Sequence, residues 1–553
     1  SVGLEPPQGA SALSKIFDIN LNKFGFAGTN VYSPLNTSKP GVFVTGAFAS
    51  PKDIPTSVAE ASGAAVKAGA FIAEKRGVVE EVDVKEIDVE GQEPRIGVFV
   101  CDCGINIKGT VDCAGVTEYA KSLPNVVYAE ENKYTCSADS QQKMKEIIQN
   151  EKLNRVVVAS CTPRTHEALF QSTLKEAGLN PYLFEMANIR DQCSWIHMGE
   201  PEKATKKSKD LVRMAVAKAR LLEPLTESKL PVTHAGVVIG GGISGMTAAL
   251  DMAAQGFKVD LIEKASELGG NAIKIYHEED NRKVREYAKE LITRVNNAKN
   301  ITVHLNTHVE DVAGFVGNFK VKTNNEEIET GAIVVAVGAK EYTPKEFLYG
   351  DDKRVVTQLE FENKMQQGPV GAKTIAMIQC VGSRNSEAPY CSRVCCSNAI
   401  KNAIAVKKAN PQSNVYVFHK DIRTYGFREE LYKEAGQLGI NFVRVPEDMP
   451  PEVTKEGDSL KLVAKDTILG EDLMIRPDLL VLSTGIRPHE ESEELAKMLK
   501  VPLSKDKYFL EAHMKLRPVD FATNGVYLAG LAHWPKFTDE AIAQASGAAS
   551  RAM

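Results

Sequence analysis

An α/β fold built on parallel sheets is predicted for this chain of 553 residues by three features. A glycine-rich turn joins an apolar strand to a helix start at 235–250. Strands and helices alternate between 96 and 186, which argues for a small parallel sheet. A second apolar strand, at 373–379, runs into four cysteines where such a pattern leads one to expect another glycine loop.

The glycine turn reads Ala235-Gly-Val-Val-Ile-Gly240-Gly-Gly242-Ile-Ser244-Gly245. Gly240 allows the tight turn, Gly242 lets the backbone approach a pyrophosphate, and Gly245 lets helix and strand pack closely. The phosphates of a dinucleotide would then sit on the helix N-terminus. The next strand, Lys258-Val-Asp-Leu-Ile-Glu263, ends in an acid eighteen residues after Gly245, placed to bind a ribose hydroxyl.

The continuation Glu263-Lys264, then Leu268-Gly269-Gly270-Asn271, resembles FAD-binding flavoproteins of the thioredoxin-reductase-like, two-dinucleotide-domain group. Thr307-His-Val309-Glu-Asp-Val312 looks like the strand whose backbone reads adenine in that group. Ile333-Val-Val-Ala336-Val-Gly338 looks like its strand-and-glycine segment, and Gly525-Val-Tyr-Leu-Ala529-Gly530 like the lobe that closes over the flavin. The resemblance implies FAD held by these residues and by Ser244. It departs at Leu531, where the group usually has an acid.

The four cysteines are Cys380, Cys391, Cys395 and Cys396, separated by ten, three and no residues. Four thiolates are what a [4Fe–4S] cube needs, although this spacing is neither ferredoxin-like nor that of a zinc ribbon. Burial as small apolar side chains would explain one or two of the four, not a stretch containing Gly-Ser-Arg-Asn-Ser, Ser392 and Arg393. A single Gly382 cannot supply a phosphate cradle, so direct oxidation of NAD(P)H is not expected here.

A second set lies ahead of the glycine turn. Cys101 and Cys103 follow the strand at 96–100, Cys136 the one at 125–128, Cys161 the one at 155–159 and Cys193 the one at 182–185. The carboxyl ends of parallel strands share one sheet edge, so these thiols can converge on one cluster. Cys113 follows no strand and reads as structural.

Val100-Cys-Asp-Cys-Gly-Ile-Asn-Ile, Ala159-Ser-Cys-Thr-Pro-Arg-Thr-His166, the segment 184–197 and the motif 380–396 resemble the A subunits of heterodisulfide reductases and their bacterial relatives over about 90–553. That resemblance implies an oxidoreductase component with FAD and two [4Fe–4S] clusters that splits electron pairs at the flavin. One cluster would use Cys380, Cys391, Cys395 and Cys396. The other would use Cys103, Cys136, Cys161 and Cys193, with Cys101 a rival for one place. Implied partners are disulfide-reducing subunits, ferredoxin, and a hydrogenase or formate dehydrogenase, in a hetero-oligomer that can also be dimeric. Lys401 and His533 are candidate flavin-facing catalytic groups, each with an exposed surface role as the alternative. A plain electron-transfer component of a quinone-interacting complex, a thioredoxin-reductase-like disulfide reductase using Cys395-Cys396, and an assembly scaffold with inert flavin are the competing readings. The ferredoxin-like C-x2-C-x2-C segments common in the family are not found in the sequence.

Residues 1–65 resemble 483–549. Gly41-Val-Phe-Val-Thr-Gly46, Pro51-Lys52 and Ala61-Ser-Gly63-Ala-Ala match Gly525-Val-Tyr-Leu-Ala-Gly530, Pro535-Lys536 and Ala545-Ser-Gly547-Ala-Ala. The opening is thus a second closing lobe, expected to act as a docking element for a flavin site the chain does not build alone. The predicted organisation is a partial closing lobe at 1–85 and an α/β iron–sulfur domain at 92–200. A linker helix at 201–232 leads to an FAD domain at 233–345 with 510–553, which encloses a second dinucleotide-like domain at 346–509.

A net charge of -5 gives no basic footprint for nucleic acid, and the lysines of 203–209 read as one solvated helix face. No signal peptide and no apolar run of eighteen residues is found, so a cytoplasmic protein without a membrane span is expected. Reduced cysteines there suit metal sites better than disulfides.

Overall fold

The computed structural model describes residues 3–73, 84–226, 228, 230–278, 282–368 and 370–553. The parts of the expected segments at 1–2, 74–83, 227, 229, 279–281 and 369 lie outside the described residues. The chain forms two compact units, 77–230 and the combination of 1–76 with 231–553.

The first segment holds helices α1 (Ala10–Phe17) and α2 (Ile54–Ile72), with a short helical turn at Gly46–Phe48. Asp53 caps α2 by accepting from the Thr56 amide, and Pro55 stands in the first turn, where its missing N–H costs nothing.

The unit at 77–230 alternates β1 (Ile96–Cys101), α3 (Cys113–Lys121), β2 (Val126–Asn132), α4 (Ala138–Asn150), β3 (Arg155–Ser160), α5 (Pro163–Glu176), β4 (Phe184–Asn188) and α6 (Pro201–Ala219). Its strands are all parallel in the order β2-β1-β3-β4. β1 and β3 are buried at every position, as strands covered on both faces must be. Helix α6 corrects the expected linker. Ala204, Val212, Ala215, Val216 and Ala219 pack it into the same core as β1 and α3, because the lysines of 203–209 interleave with an apolar stripe at helical spacing.

The larger unit continues through β5 (Ala235–Ile239), α7 (Ile243–Ala254), β6 (Lys258–Ile262), α8 (Val284–Asn297), β7 (Ile301–His304), the meander β8 (Val309–Phe315), β9 (Asn318–Thr323) and β10 (Glu327–Thr330), and β11 (Ala332–Val335). Next come β12 (Lys340–Glu341), β13 (Val355–Thr357), α9 (Gln358–Gln366), β14 (Thr374–Val381), α10 (Cys395–Ala409), β15 (Asn414–His419), α11 (Glu429–Gln437) and β16 (Asn441–Arg444). The chain then forms β17 (Glu452–Glu456), β18 (Ser459–Lys465), β19 (Asp472–Ile475), β20 (Leu479–Thr484), β21 (Ile486–Arg487), α12 (Ser492–Leu499), β22 (Val526–Leu528) and α13 (Thr538–Ala552).

Two five-stranded parallel sheets result, β22-β11-β5-β6-β7 and β13-β20-β14-β15-β16, with the antiparallel pair β12-β21 carrying the chain out and back. This is the predicted two-dinucleotide-domain α/β architecture. The expected boundary at 509 moves, because Ala496, Leu499, Val501 and Phe509 join the core of the first sheet and its meander.

The opening lobe folds onto this unit. α2, α7 and α13 meet through Ala59, Ala248, Ala249, Ala545, Ala548 and Ala549, small side chains that let helix axes approach. Asp251 of α7 ties the layers together, pairing with Lys67 at 2.5 Å and accepting from Ser546 Oγ at 2.6 Å.

Candidate flavin and cluster site

The three glycines of the turn do what their positions demand. Gly240 has φ 111°, and a Cβ there would lie 2.4 Å from the Ala336 carbonyl oxygen. A Cβ on Gly245 would lie 1.8 Å from the Gly240 oxygen, whereas Gly242, which caps α7, faces open space. That opening at a helix N-terminus is where a pyrophosphate fits.

Glu263 braces the loop. Its carboxylate accepts from the Gly241 amide at 2.7 Å and from the Ala265 amide at 2.8 Å, and it stands at the end of β6 as a ribose-binding acid would. Gly269 donates to the Gly241 oxygen at 2.9 Å, and Gly270 approaches the Gly242 backbone. Asn271 Nδ2 donates to the Ala339 oxygen at 2.8 Å, drawing that loop toward Gly338, whose Cβ direction is open. Val309 opens β8. Lys264 is turned aside, its Nζ paired with Glu491 at 2.6 Å.

Gly530 closes the cradle from above. A Cβ on it would meet Ser244 Oγ at 2.3 Å, so the closing lobe rests on the first turn of α7. The residues present therefore fit FAD.

The sequence pointed to His533 but not to the network that ties it to Gly530. Its amide donates to Gln544 Oε1 at 3.0 Å, Gln544 Nε2 meets His533 Nδ1 at 2.8 Å, and His533 Nε2 lies 3.0 Å from Glu511. This fixes the imidazole with its proton on Nε2, and burial lowers its pKa. Lys536 Nζ donates to the Gly530 oxygen at 2.9 Å and to the Trp534 oxygen at 3.0 Å, and burial pulls its pKa down to about 7. Leu531, standing where the family has an acid, packs beside Tyr390 and Tyr508. Lys401 is 6% exposed, ion-paired with buried Glu362 and donating to the His277 oxygen at 2.9 Å. Neither Lys401 nor His533 has the exposed surface position given as its alternative.

In the second sheet the phosphate position is filled. Gly382 has φ 71°, and a Cβ there would meet the Tyr342 ring at 2.1 Å. The following helix, α10, begins only at Cys395, so the helix end that would hold phosphates carries Cys395 and Cys396 instead. Cys380, Arg384 and Arg393 take left-handed backbone with φ 63°, 54° and 60°. Non-glycine residues adopt that conformation at a cost of about 1 kcal/mol or more.

The four thiols interact. Cys395 hydrogen-bonds Cys396, which raises the first and lowers the second. Burial pushes Cys380 up to about 11, with Cys396 and Cys391 adding to the shift and Arg384 and Lys420 opposing it. The Arg393 amide donates to Cys391 Sγ at 3.3 Å. Ser392, expected outside the core, is fully buried and accepts from the Ile486 amide at 2.8 Å.

The cysteine loop is stapled to the closing lobe. Arg393 donates to the Pro535 oxygen at 3.2 Å and pairs with Glu540 at 2.7 Å. The Tyr390 and Trp534 rings lie 5.2 Å apart.

In the smaller unit Cys101, Cys103, Cys136 and Cys161 gather at the carboxyl edge of the sheet. A hydrogen bond from Cys103 lowers Cys101 to about 6 and raises Cys103. Burial raises Cys136 and Cys161, with Cys101 in reach of both and Arg190 opposing the shift. Arg190, missed in the sequence, stacks on Trp195 at 4.6 Å. Cys193 departs from the expected set, its Sγ 3.0 Å from the Ala204 oxygen and 3.1 Å from Ser208 Oγ, because α6 packs over it. Cys113 is buried, 1% exposed, and its thiol is pushed up to about 12.

Among the described residues no three His, Cys, Asp or Glu side chains are already arranged as a metal-ligand group. Each set nevertheless supplies four thiols with a nearby guanidinium, a donor chemistry that fits an iron–sulfur cluster.

A family model described as pyridine nucleotide-disulphide oxidoreductase matches residues 234–545. The chain is 37% identical over 564 residues to the second iron-sulfur A subunit of the CoB--CoM heterodisulfide reductase of Methanopyrus kandleri, covering 83% of this chain and 85% of that protein. It is 39% identical to the A subunit of the H(2):CoB-CoM heterodisulfide,ferredoxin reductase of Methanothermobacter thermautotrophicus, with the same coverage. Among solved structures, thioredoxin reductase of Lactococcus lactis aligns with TM-score 0.43 at 18% identity, covering 58% of this chain and 98% of that one.

Proposed function

The chain belongs to the family of heterodisulfide reductase A subunits, and from that premise we propose that it performs flavin-based electron bifurcation or confurcation within a heterodisulfide-reductase-like complex. It is an oxidoreductase and an electron-transfer flavoprotein. FAD supplies both paired and single electron exchange and [4Fe–4S] clusters single exchange, so together they can divide a pair between ferredoxin and a disulfide-type acceptor.

The chain's own residues bind, orient and isolate these groups. Gly240, Gly242 and Gly245 seat the pyrophosphate, Glu263 the ribose, and Gly530 closes on Ser244. Cys380, Cys391, Cys395 and Cys396 hold one cluster, and Cys101, Cys103, Cys136 and Cys161 the other. Lys536 holds a proton at Nζ that leaves near neutral pH, and His533 keeps Gln544 aimed at the Gly530 amide.

The observation that carries this reading is the fate of the second phosphate loop. Its space is taken by Tyr342, its helix start by Cys395 and Cys396, and Arg393 fastens the loop to the flavin-closing lobe. The partners inferred from the relatives' names are ferredoxin and heterodisulfide reductase subunits, and a hydrogenase or formate dehydrogenase is proposed as the two-electron donor.

An anaerobic redox titration tests it. Bifurcation requires crossed one-electron flavin potentials, so the flavin should titrate as one two-electron step. Two well-separated one-electron waves would instead indicate a simple electron carrier.

A further inference from the structure

The opening lobe repeats the closing lobe in three dimensions. α1 and α12 both end on a left-handed residue, Asp18 at φ 54° and Lys500 at φ 55°. Gly41 and Gly525 have φ 80° and 81°, and Gly46 and Gly530 have φ 64° and 71°. The Gly46 amide donates to Glu60 Oε2 at 2.8 Å as the Gly530 amide donates to Gln544. The bridge Asn36↔Phe43 corresponds to Asp520↔Tyr527.

What covers the two copies differs. In the closing lobe, β22 pairs with β11, the Ile333 amide donating to the Gly525 oxygen and the Ala529 amide to the Val335 oxygen, both at 2.9 Å. Leu499 of α12 is 3% exposed in the core it shares with the meander. In the opening lobe the backbone of the matching segment 42–44 bonds to the stretch 35–39, and among the described residues no strand pairs along its other edge. Phe17, the counterpart of Leu499, is 50% exposed, and Ile16 is 74% exposed. An apolar patch beside an unpaired edge is a surface made for another sheet.

The two lobes also meet reciprocally. A Cβ on Gly63 would lie 3.0 Å from the Ala543 oxygen, and one on its counterpart Gly547 would lie 2.6 Å from the oxygen of Ala59, the counterpart of Ala543. Contact of each element with the other's equivalent residue is the signature of a two-fold relation.

We propose that the face formed by Leu13, Ile16, Phe17 and the 41–45 edge docks the nucleotide-binding front of a second flavoprotein module, resembling residues 235–335, and so completes a second FAD site. The internal repeat identifies the occupant, because residues 235–335 cover the equivalent face of the closing lobe. A second copy of this chain does not fit, since its own β11 edge already holds its own β22. Gly46 would rest on the incoming glycine-loop helix as Gly530 rests on Ser244. The inference rests on the repeat and stands apart from the cluster assignment.

Hydrogen exchange and flavin counting test it on the chain and on its native complex. In the chain alone, the amides of Phe43 and Thr45 should exchange about 100-fold or more faster than those of Tyr527 and Ala529. In the native complex these amides should become protected and FAD should reach two per chain. The double variant Phe17→Glu with Thr45→Pro should return the complex to one FAD, leaving the flavin at the Gly240 turn in place. One FAD per chain in the native complex, protection of Phe43 and Thr45 in the chain alone, or two FAD in a folded double variant would each overturn the proposal.

Discussion

Lys536 is a lysine whose ammonium is met by carbonyl oxygens, and burial brings its pKa down to about 7. The folded state therefore sheds this proton at lower pH than the unfolded chain, which ordinarily releases it near 10.5. Between those values the unfolded state binds more protons, so the stability contribution of this group rises with pH from about 7 upward. Urea unfolding of the holoprotein at pH 7, 8 and 9 should show that rise, and Lys536→Met should abolish it. Equal slopes in the two proteins would contradict the assignment. Cys395→Ser should remove about four irons per chain and leave FAD bound, because the glycine turn is independent of that loop. Iron and flavin analysis after anaerobic purification checks both halves. At this scale the glycines were legible because each answers to a backbone constraint written in a short motif. Arg190, Gln544 and Tyr342 were not, because their roles arise from neighbours far away in the chain. The surroundings of Cys193 were hidden for a related reason: its position after a strand says nothing of the helix that packs over its sulfur.

Helices and strands carry a different kind of information. The β5-turn-α7 element is so tight that Gly245→Val should cost about 2 kcal/mol or more through overpacking, and should expel FAD. Iron in the 77–230 unit should remain, since that unit has its own core. Fluorescence of released flavin with iron analysis measures this, and retention of FAD would contradict the cradle. Buried parallel strands such as β1, β3, β5 and β14 were legible as continuous apolar runs. The docking of α6 was harder to see, because its lysine run hides a stripe of alanines and valines. The return of α12 to the first sheet was invisible for another reason, as it depends on a partner meander nearly two hundred positions upstream.

The whole molecule has two compact units, one built on a four-stranded parallel sheet whose carboxyl edge gathers thiols, the other on two five-stranded parallel sheets, one leading into the glycine turn and one into the cysteine loop. No helix among the described residues is long and apolar enough to cross a membrane. The larger unit keeps the outline of a pyridine-nucleotide enzyme and replaces the nucleotide's place with cysteines fastened to the flavin lobe. On the function proposed above, electrons reach FAD through the 380–396 loop. Anaerobic absorbance of the purified chain tests this most directly: NADH or NADPH alone should leave the flavin oxidised, while a reduced low-potential ferredoxin should bleach it, and should fail to do so after Cys395→Ser. Rapid stoichiometric bleaching by either nucleotide, with no partner protein present, would contradict the account.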